Sequence, residues 1–207
     1  KGEPEHFISL KIHYTDDEVD IEGIAVGKEY VYIIGSHSRA RKTIDASKRE
    51  EKKNLKRLQQ TESEPSREQL FRLNLNANGD LVKNSIKIVS LRNTILNDPV
   101  LAPFQVIPSK ENGVDIEVIA ADEDNKLYIG FRGPVLRGGF VPILILKVDF
   151  EAGDIDEDIV YVNLGGRGIR DMVKVDGVKD EFLIVAGPIG DEPTSYQIYR
   201  WNGKNTI

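Results

Sequence analysis

Two short segments carry carboxylates at a spacing that could do chemistry. Asp20-Ile21-Glu22 and Asp115-Ile116-Glu117 each set acidic groups two residues apart, and in an extended chain such residues point to the same side. With Asp171 from a third segment, five carboxylates are available to one site. Like charges at close range disfavour each other's ionisation, so the group needs a cation or arginines among it. Oxygen ligands suit Ca²⁺ or Mg²⁺, which makes Asp20, Glu22, Asp115, Glu117 and Asp171 candidate metal ligands. Ser36, Arg39, Arg132, Arg167 and Arg170 form the candidate ligand-binding set, since a guanidinium grips anionic oxygens in bidentate fashion. His37, between two serines and near Arg39, is the candidate general acid or base. No serine sits in a nucleophile-elbow context, so a Ser-His-Asp triad is not argued.

A plainer reading stands beside each of these. The Asp-x-Glu pairs can cap turns and pair with arginines of a neighbouring unit, and Gly23 can mark a bulge. His37 can be an ordinary loop histidine. Gly165-Gly166-Arg167-Gly168 reads equally well as a tight turn.

The elements that must position these residues come from a repeat. Val19-Asp-Ile-Glu-Gly-Ile-Ala25 returns as Val114-Asp-Ile-Glu-Val-Ile-Ala120. Each copy leads through a polar turn to a second apolar run, Tyr30 to Ile34 and Lys126 to Ile129, and then to a glycine, Gly35 or Gly130. A looser third copy runs from Gly168 to Val173, then Phe182 to Ala186. Further strands are expected at 69–75 and 85–91, at 143–150 and 159–164, and at 196–201, with Asn78-Gly79 as a hairpin turn. The expected fold is all-β: propeller-like repeats of four-stranded antiparallel sheets in one domain, with units at about 19–91, 115–164 and 168–203. Phe7 to Tyr14 reads as an orphan strand of a missing or shared unit, and the ring either as incomplete, the sequence being a fragment or incompletely covered, or as closed by a degenerate unit. Residues 39–68 interrupt the pattern. From Arg39 to Arg57 they hold nine basic and three acidic residues, which predicts an inserted, solvated helix near 40–60 followed by a polar loop.

In an up-and-down sheet alternate turns share an end. The carboxylate segments lie where one unit passes to the next, and Ser36 to Arg39, Arg132-Gly133-Pro134 and Gly187-Pro188 follow the second strand of each unit. All therefore fall at one end, the insertion included. The other end carries ordinary turn chemistry such as Glu123-Asp124-Asn125.

Composition narrows the partners. A net charge of −6 argues against nucleic acid, and no apolar run is long enough to cross a membrane as a helix. The absence of cysteine removes disulfides and thiolate chemistry together. Neither an initiator Met nor a leader pattern is present, so a secreted or periplasmic location would follow only from a leader already removed.

The stretches Asp20 to Ala25, Ile34 to Arg39, Asp115 to Glu117, Gly130 to Val135, Leu164 to Asp171 and Ala186 to Pro188 together resemble a bacterial family of unknown function. The order of these stretches matches across nearly the whole chain, with Val118 a departure where that family's second copy usually has glycine. The resemblance implies a propeller and brings no established activity. More distantly, the Asp-x-Glu-Gly strand start is similar to that of phytase-like propellers with proposed esterase or phosphatase activity. Two functions follow as expectations. One is a binding or interaction module whose polar face takes a small anionic or polar ligand or a protein partner. The other is a metal-assisted hydrolase using the same face. Self-association would cover exposed sheet edges if the ring is incomplete.

Overall fold

The computed structural model describes residues 17–207, which form a succession of antiparallel sheets. The first contains β1 (Ile21–Val26) and β2 (Tyr30–Gly35). After a two-residue ribbon of β3 (Ala40–Arg41) and β4 (Thr61–Glu62), β5 (Leu70–Asn74) and β6 (Lys87–Val89) complete it, in the order β1-β2-β5-β6. The second is β7 (Asp115–Ala121), β8 (Leu127–Gly133), β9 (Phe140–Asp149) and β10 (Asp154–Asn163), paired in sequence order. The third has β11 (Gly168–Lys174), β12 (Phe182–Gly187) and β13 (Gln197–Trp201). This is the all-β, propeller-like arrangement that the repeat predicts, and each of the three larger sheets is one blade of it. The strand expected at Phe7 to Tyr14 lies outside the described residues.

The second blade is packed between the other two. β7 lies against β1 on one side and against β11 on the other. A sheet covered on both faces needs apolar residues on both, and β8 and the middle of β9 are accordingly buried almost without interruption. β1, which has a described blade on one face only, alternates instead, with Ala25 buried between exposed Ile24 and Val26.

Glycine permits the close approach. A Cβ at Gly23 would lie 3.0 Å from the Ile119 nitrogen, and one at Gly130 would lie 2.5 Å from Val118 Cγ1 and 2.9 Å from Ile169 Cγ2. Rings fill the wider parts of both junctions. Tyr32 meets Phe150 with centroids 6.1 Å apart, and Tyr128 meets Phe182 at 4.5 Å.

Each inner strand carries a register shift near its start: between Ile21 and Gly23, between Ile116 and Val118, and between Ile169 and Asp171. The extra residues are Glu22, Glu117 and Arg170. A bulge of this kind re-aims one side chain while the rest of the strand keeps its pairing.

The expected insertion is present. α1 (Glu51–Gln59) has no buried residue and lies between β3 and β4. The connection from the first blade to the second, to which the sequence reading assigns no element, holds a short helix, α2 (Arg92–Asn97), and two 3-10 turns. Leu91, Ile95 and Leu101 from this connection are wholly buried in the core.

Candidate functional site

The bulges bring Glu22, Glu117 and Arg170 to equivalent places in three successive blades, at the end where blade passes to blade. Arg132, near the end of β8, joins them. It donates from Nε to Asp115 Oδ2 at 2.7 Å and also contacts that oxygen through Nη2, while its Nη1 lies 2.6 Å from Glu117 Oε1. The other Glu117 oxygen faces Arg170 Nε at 3.7 Å. Arg170 also donates a long bond of 3.4 Å to the Pro188 carbonyl. Asp20, near enough for its charge to act on Glu22 and Asp115, pairs with Arg67, whose Nη1 is 3.2 Å from Asp20 Oδ2 and which also holds Glu18 and Glu64.

Glu22 is left over. It is half-buried, and among the described residues no hydrogen bond or ion pair reaches its carboxyl. Burial pushes this carboxyl up to about 8, and the nearby charges of Glu117, Asp20 and Asp115 push the same way against the weaker pull of Arg132. Asp115 is deeply buried, which drives it up to about 7 even with Arg132 beside it. The end of the first two blades thus holds two acids that titrate near neutrality, one clamped by an arginine and one without a clamp.

The remaining expected residues fall elsewhere. Asp171 is exposed and accepts a hydrogen bond from the amide of Met172, away from the other carboxylates. Among the described residues no three His, Cys, Asp or Glu side chains are grouped to hold a metal ion. Asp115 and Glu117 spend their oxygens on arginine.

His37 is wholly buried with a left-handed backbone, φ 53°. Its Nδ1 lies 2.9 Å from the Gly35 carbonyl, and its Nε2 is 3.2 Å from the Leu91 amide. The neutral ring therefore donates to the first and accepts from the second. Burial lowers its proton affinity to about 4. Placed so, it fastens the first blade to the connection that follows, rather than exchanging protons with a substrate.

Ser36 is likewise buried and structural: its amide donates to the Asp20 carbonyl at 3.0 Å, and its carbonyl accepts from the Ile116 amide at 2.9 Å. That bridge ties the starts of β1 and β7 together. Arg39 donates from Nε to the Gln105 carbonyl at 2.9 Å. Arg167 donates to the Ser195 carbonyl at 2.8 Å and its hydroxyl at 3.1 Å, in the turn after the second blade. Of the sequence-derived set, the structure brings together Glu22, Asp115, Glu117, Arg132 and Arg170.

Arg67 is the partner that sequence reasoning missed. It lies in a 3-10 turn (Pro65–Arg67) within the insertion, among residues with no strand or helix periodicity to mark it. At the opposite end of the blades, a cavity of about 530 Å³ opens among Lys28, Asp122, Glu123, Asp124, Lys174 and Asp176. Turns from all three blades line it.

Three propeller-like blades with an acid and arginine cluster at one end define an all-β repeat scaffold with a polar site between blades. The chain belongs to the family described as protein of unknown function (DUF3616), whose model matches residues 4–207. No curated protein matches it.

Proposed function

We propose that the chain is a binding module that takes a small polar ligand where its first two blades meet, with Glu22 as the recognising group. The observation that carries this is the Glu22 carboxyl, which among the described residues stands without a partner beside three other acids. A carboxyl held neutral can both donate and accept, so it meets a hydroxyl or an amine without a charged competitor. Arg170, held among the described residues only by long contacts of 3.4 and 3.7 Å, is the group available to an anionic oxygen of the same ligand. Exposed charge on a rigid scaffold is where repeat folds place recognition.

A second reading is favoured by one observation. A carboxyl that keeps its proton to about 8, next to carboxylates, is suited to protonate a leaving oxygen in the hydrolysis of an ester or phosphate ester. This reading needs no metal step.

Thermal-shift screening of sugars, amino acids, polyamines and phosphate esters, with Glu22→Gln as control, tests the first reading. A compound that raises the melting temperature of the wild type but not of the variant supports it by mass action. If no compound distinguishes the two proteins, the reading fails. Assay of ester and phosphate-ester substrates with the same pair tests the second, and turnover unaffected by Glu22→Gln would remove it.

A further inference from the structure

We infer that α1 is a docking element for an anionic lipid surface, with Leu55 and Leu58 entering the headgroup layer and the basic residues around them meeting its negative charge. The inference starts from charge. Nine basic and three acidic residues between Arg39 and Arg57 give +6 in a chain whose total is −6, so the rest of the chain carries −12. Positive charge is thus gathered in one excursion, against the sign of everything around it. That is the pattern of a basic amphipathic helix that meets an anionic surface.

Little of this charge is answered within the molecule. Lys48 pairs with Asp45 at 3.0 Å and Lys53 with Glu50 at 2.9 Å, while Arg49, Lys52, Lys56 and Arg57 form no ion pair among the described residues. Lys52 and Lys56 stand four apart on α1, as do Lys53 and Arg57, and like charges at that spacing repel across one helical turn. A layer of negative headgroups relieves both repulsions at once. The two rows lie side by side, a breadth that a sheet of headgroups covers and a single acidic peptide strand does not.

Apolar side chains share the exposure. Leu55 and Leu58, three residues apart, lie on one side of α1 and are 48% and 46% exposed. With nine residues, α1 is shorter than the about 12–15 that hold together as an isolated helix in water. Helices in proteins owe most of their stability to a packed apolar face, yet no residue of α1 is buried. That face is presented rather than packed. Arg41 fixes the presentation: its Nη1 donates to the Leu58 carbonyl in the last turn, and its Nη2 donates to Glu111 Oε2 at 3.1 Å, in the connection between the blades. Leucines flanked by basic residues suit a lipid interface, where apolar burial and charge act together. A nucleic acid would offer its phosphates but no apolar layer to receive them.

Co-sedimentation of the intact 207-residue chain with vesicles tests this. Vesicles of phosphatidylcholine with about a third phosphatidylserine should bring the protein down, and added salt should release it. Vesicles of phosphatidylcholine alone should leave it in solution. The pair Lys52→Gln and Lys56→Gln should weaken binding roughly tenfold or more. The pair Leu55→Ser and Leu58→Ser should weaken it by a similar factor, which charge alone would not do. All four side chains are exposed, so the melting temperature and circular dichroism of both variants should match the wild type. A wild-type chain that ignores the anionic vesicles overturns the proposal, and its capture by soluble polyglutamate instead passes the helix to an acidic protein partner. Vesicle binding that survives either pair of substitutions unchanged overturns it equally.

Discussion

Glu22 and Glu117 occupy the same bulge position in successive inner strands, yet Glu117 lies 2.6 Å from Arg132 while Glu22 has no such partner among the described residues. The difference comes from the third residue. Arg132 belongs to the second blade and reaches Asp115 at the start of the neighbouring strand β7 and the bulge residue Glu117 two positions on. At the equivalent place in the first blade stands Ser36, too short to reach and already bonded through its main chain to Asp20 and Ile116. One carboxylate is thereby built into the wall and the other is presented to whatever approaches.

That presentation has a signature in pH. A carboxyl whose value rises from 4.5 to about 8 on folding binds a proton that the unfolded chain has lost, so stability falls as pH climbs between those values. Glu22→Gln removes that titration while keeping size. It should melt like the wild type near pH 4.5 and about 2–4 °C above it at pH 8.5, the shift of roughly 1 kcal/mol in a chain of this length. Melting curves at the two pH values check it. Asp115 leaves a residual slope of the same sign, because it too is raised, to about 7.

Arg132 holds a buried acid, so removing it should cost far more than removing a surface charge. Arg132→Met is expected to destabilise by about 3–5 kcal/mol at pH 8, because Asp115, buried without its arginine, must either carry an unpaired charge or take up a proton. The double substitution Arg132→Met with Asp115→Asn should recover more than half of that. Denaturant midpoints for the two singles and the double form the cycle that measures it.

For His37 the sign runs the other way. Its value falls from 6.5 to about 4 on folding, so the unfolded chain binds the extra proton and stability is lost as pH drops through that window. His37→Ala should cost about 2–3 kcal/mol at pH 7, because the Gly35 carbonyl and Leu91 amide are left unpaired in a buried place. Urea denaturation of the variant at pH 7 and at pH 5 checks both statements. A variant as stable as the wild type would return His37 to the list of chemical candidates.

At the second junction Gly130→Ala forces a methyl against Val118 and Ile169, at 2.5 and 2.9 Å before any adjustment. A loss of about 1–3 kcal/mol is expected, as for other overpacked cores. Gly79→Ala, in open space, controls for the loss of glycine itself at a turn of φ 84°. The comparison is read from denaturant midpoints at one pH.

The repeat in Val19 to Ala25 and Val114 to Ala120 made the blades legible, because strand alternation and turn residues are local properties that a sequence prints directly. It also placed Glu22, Glu117 and Arg170 at one end. What it left open was which arginine meets which acid. Arg132 and Arg170 close on Glu117, but Arg39 and Arg167 spend their donors on main-chain carbonyls, a choice made by tertiary packing. His37 and Ser36 looked functional because they are polar and conspicuous. Their burial depends on Leu91 and Ile116, residues 54 and 80 positions away, and no local pattern reports that. The order in the connection around α2 was hidden for a similar reason, since its apolar residues are covered by blades distant in sequence.

The feet of the insertion deserve a last consideration for what they make possible over generations of sequence change. The His37 amide donates to the Arg67 carbonyl at 3.1 Å, and the Ser66 hydroxyl donates to the Glu18 carbonyl at 2.7 Å, so the excursion leaves and re-enters the blade through a knot tied by main-chain atoms and one serine side chain. Everything threaded between those two points, α1 included, hangs from a closed loop whose neck is already secured. Lengthening such a loop raises its closure entropy only logarithmically. The neck therefore works as a socket: its bonds are indifferent to the cargo, and the basic helix can be shortened, exchanged or recharged while Glu22 and its neighbours stay where they are.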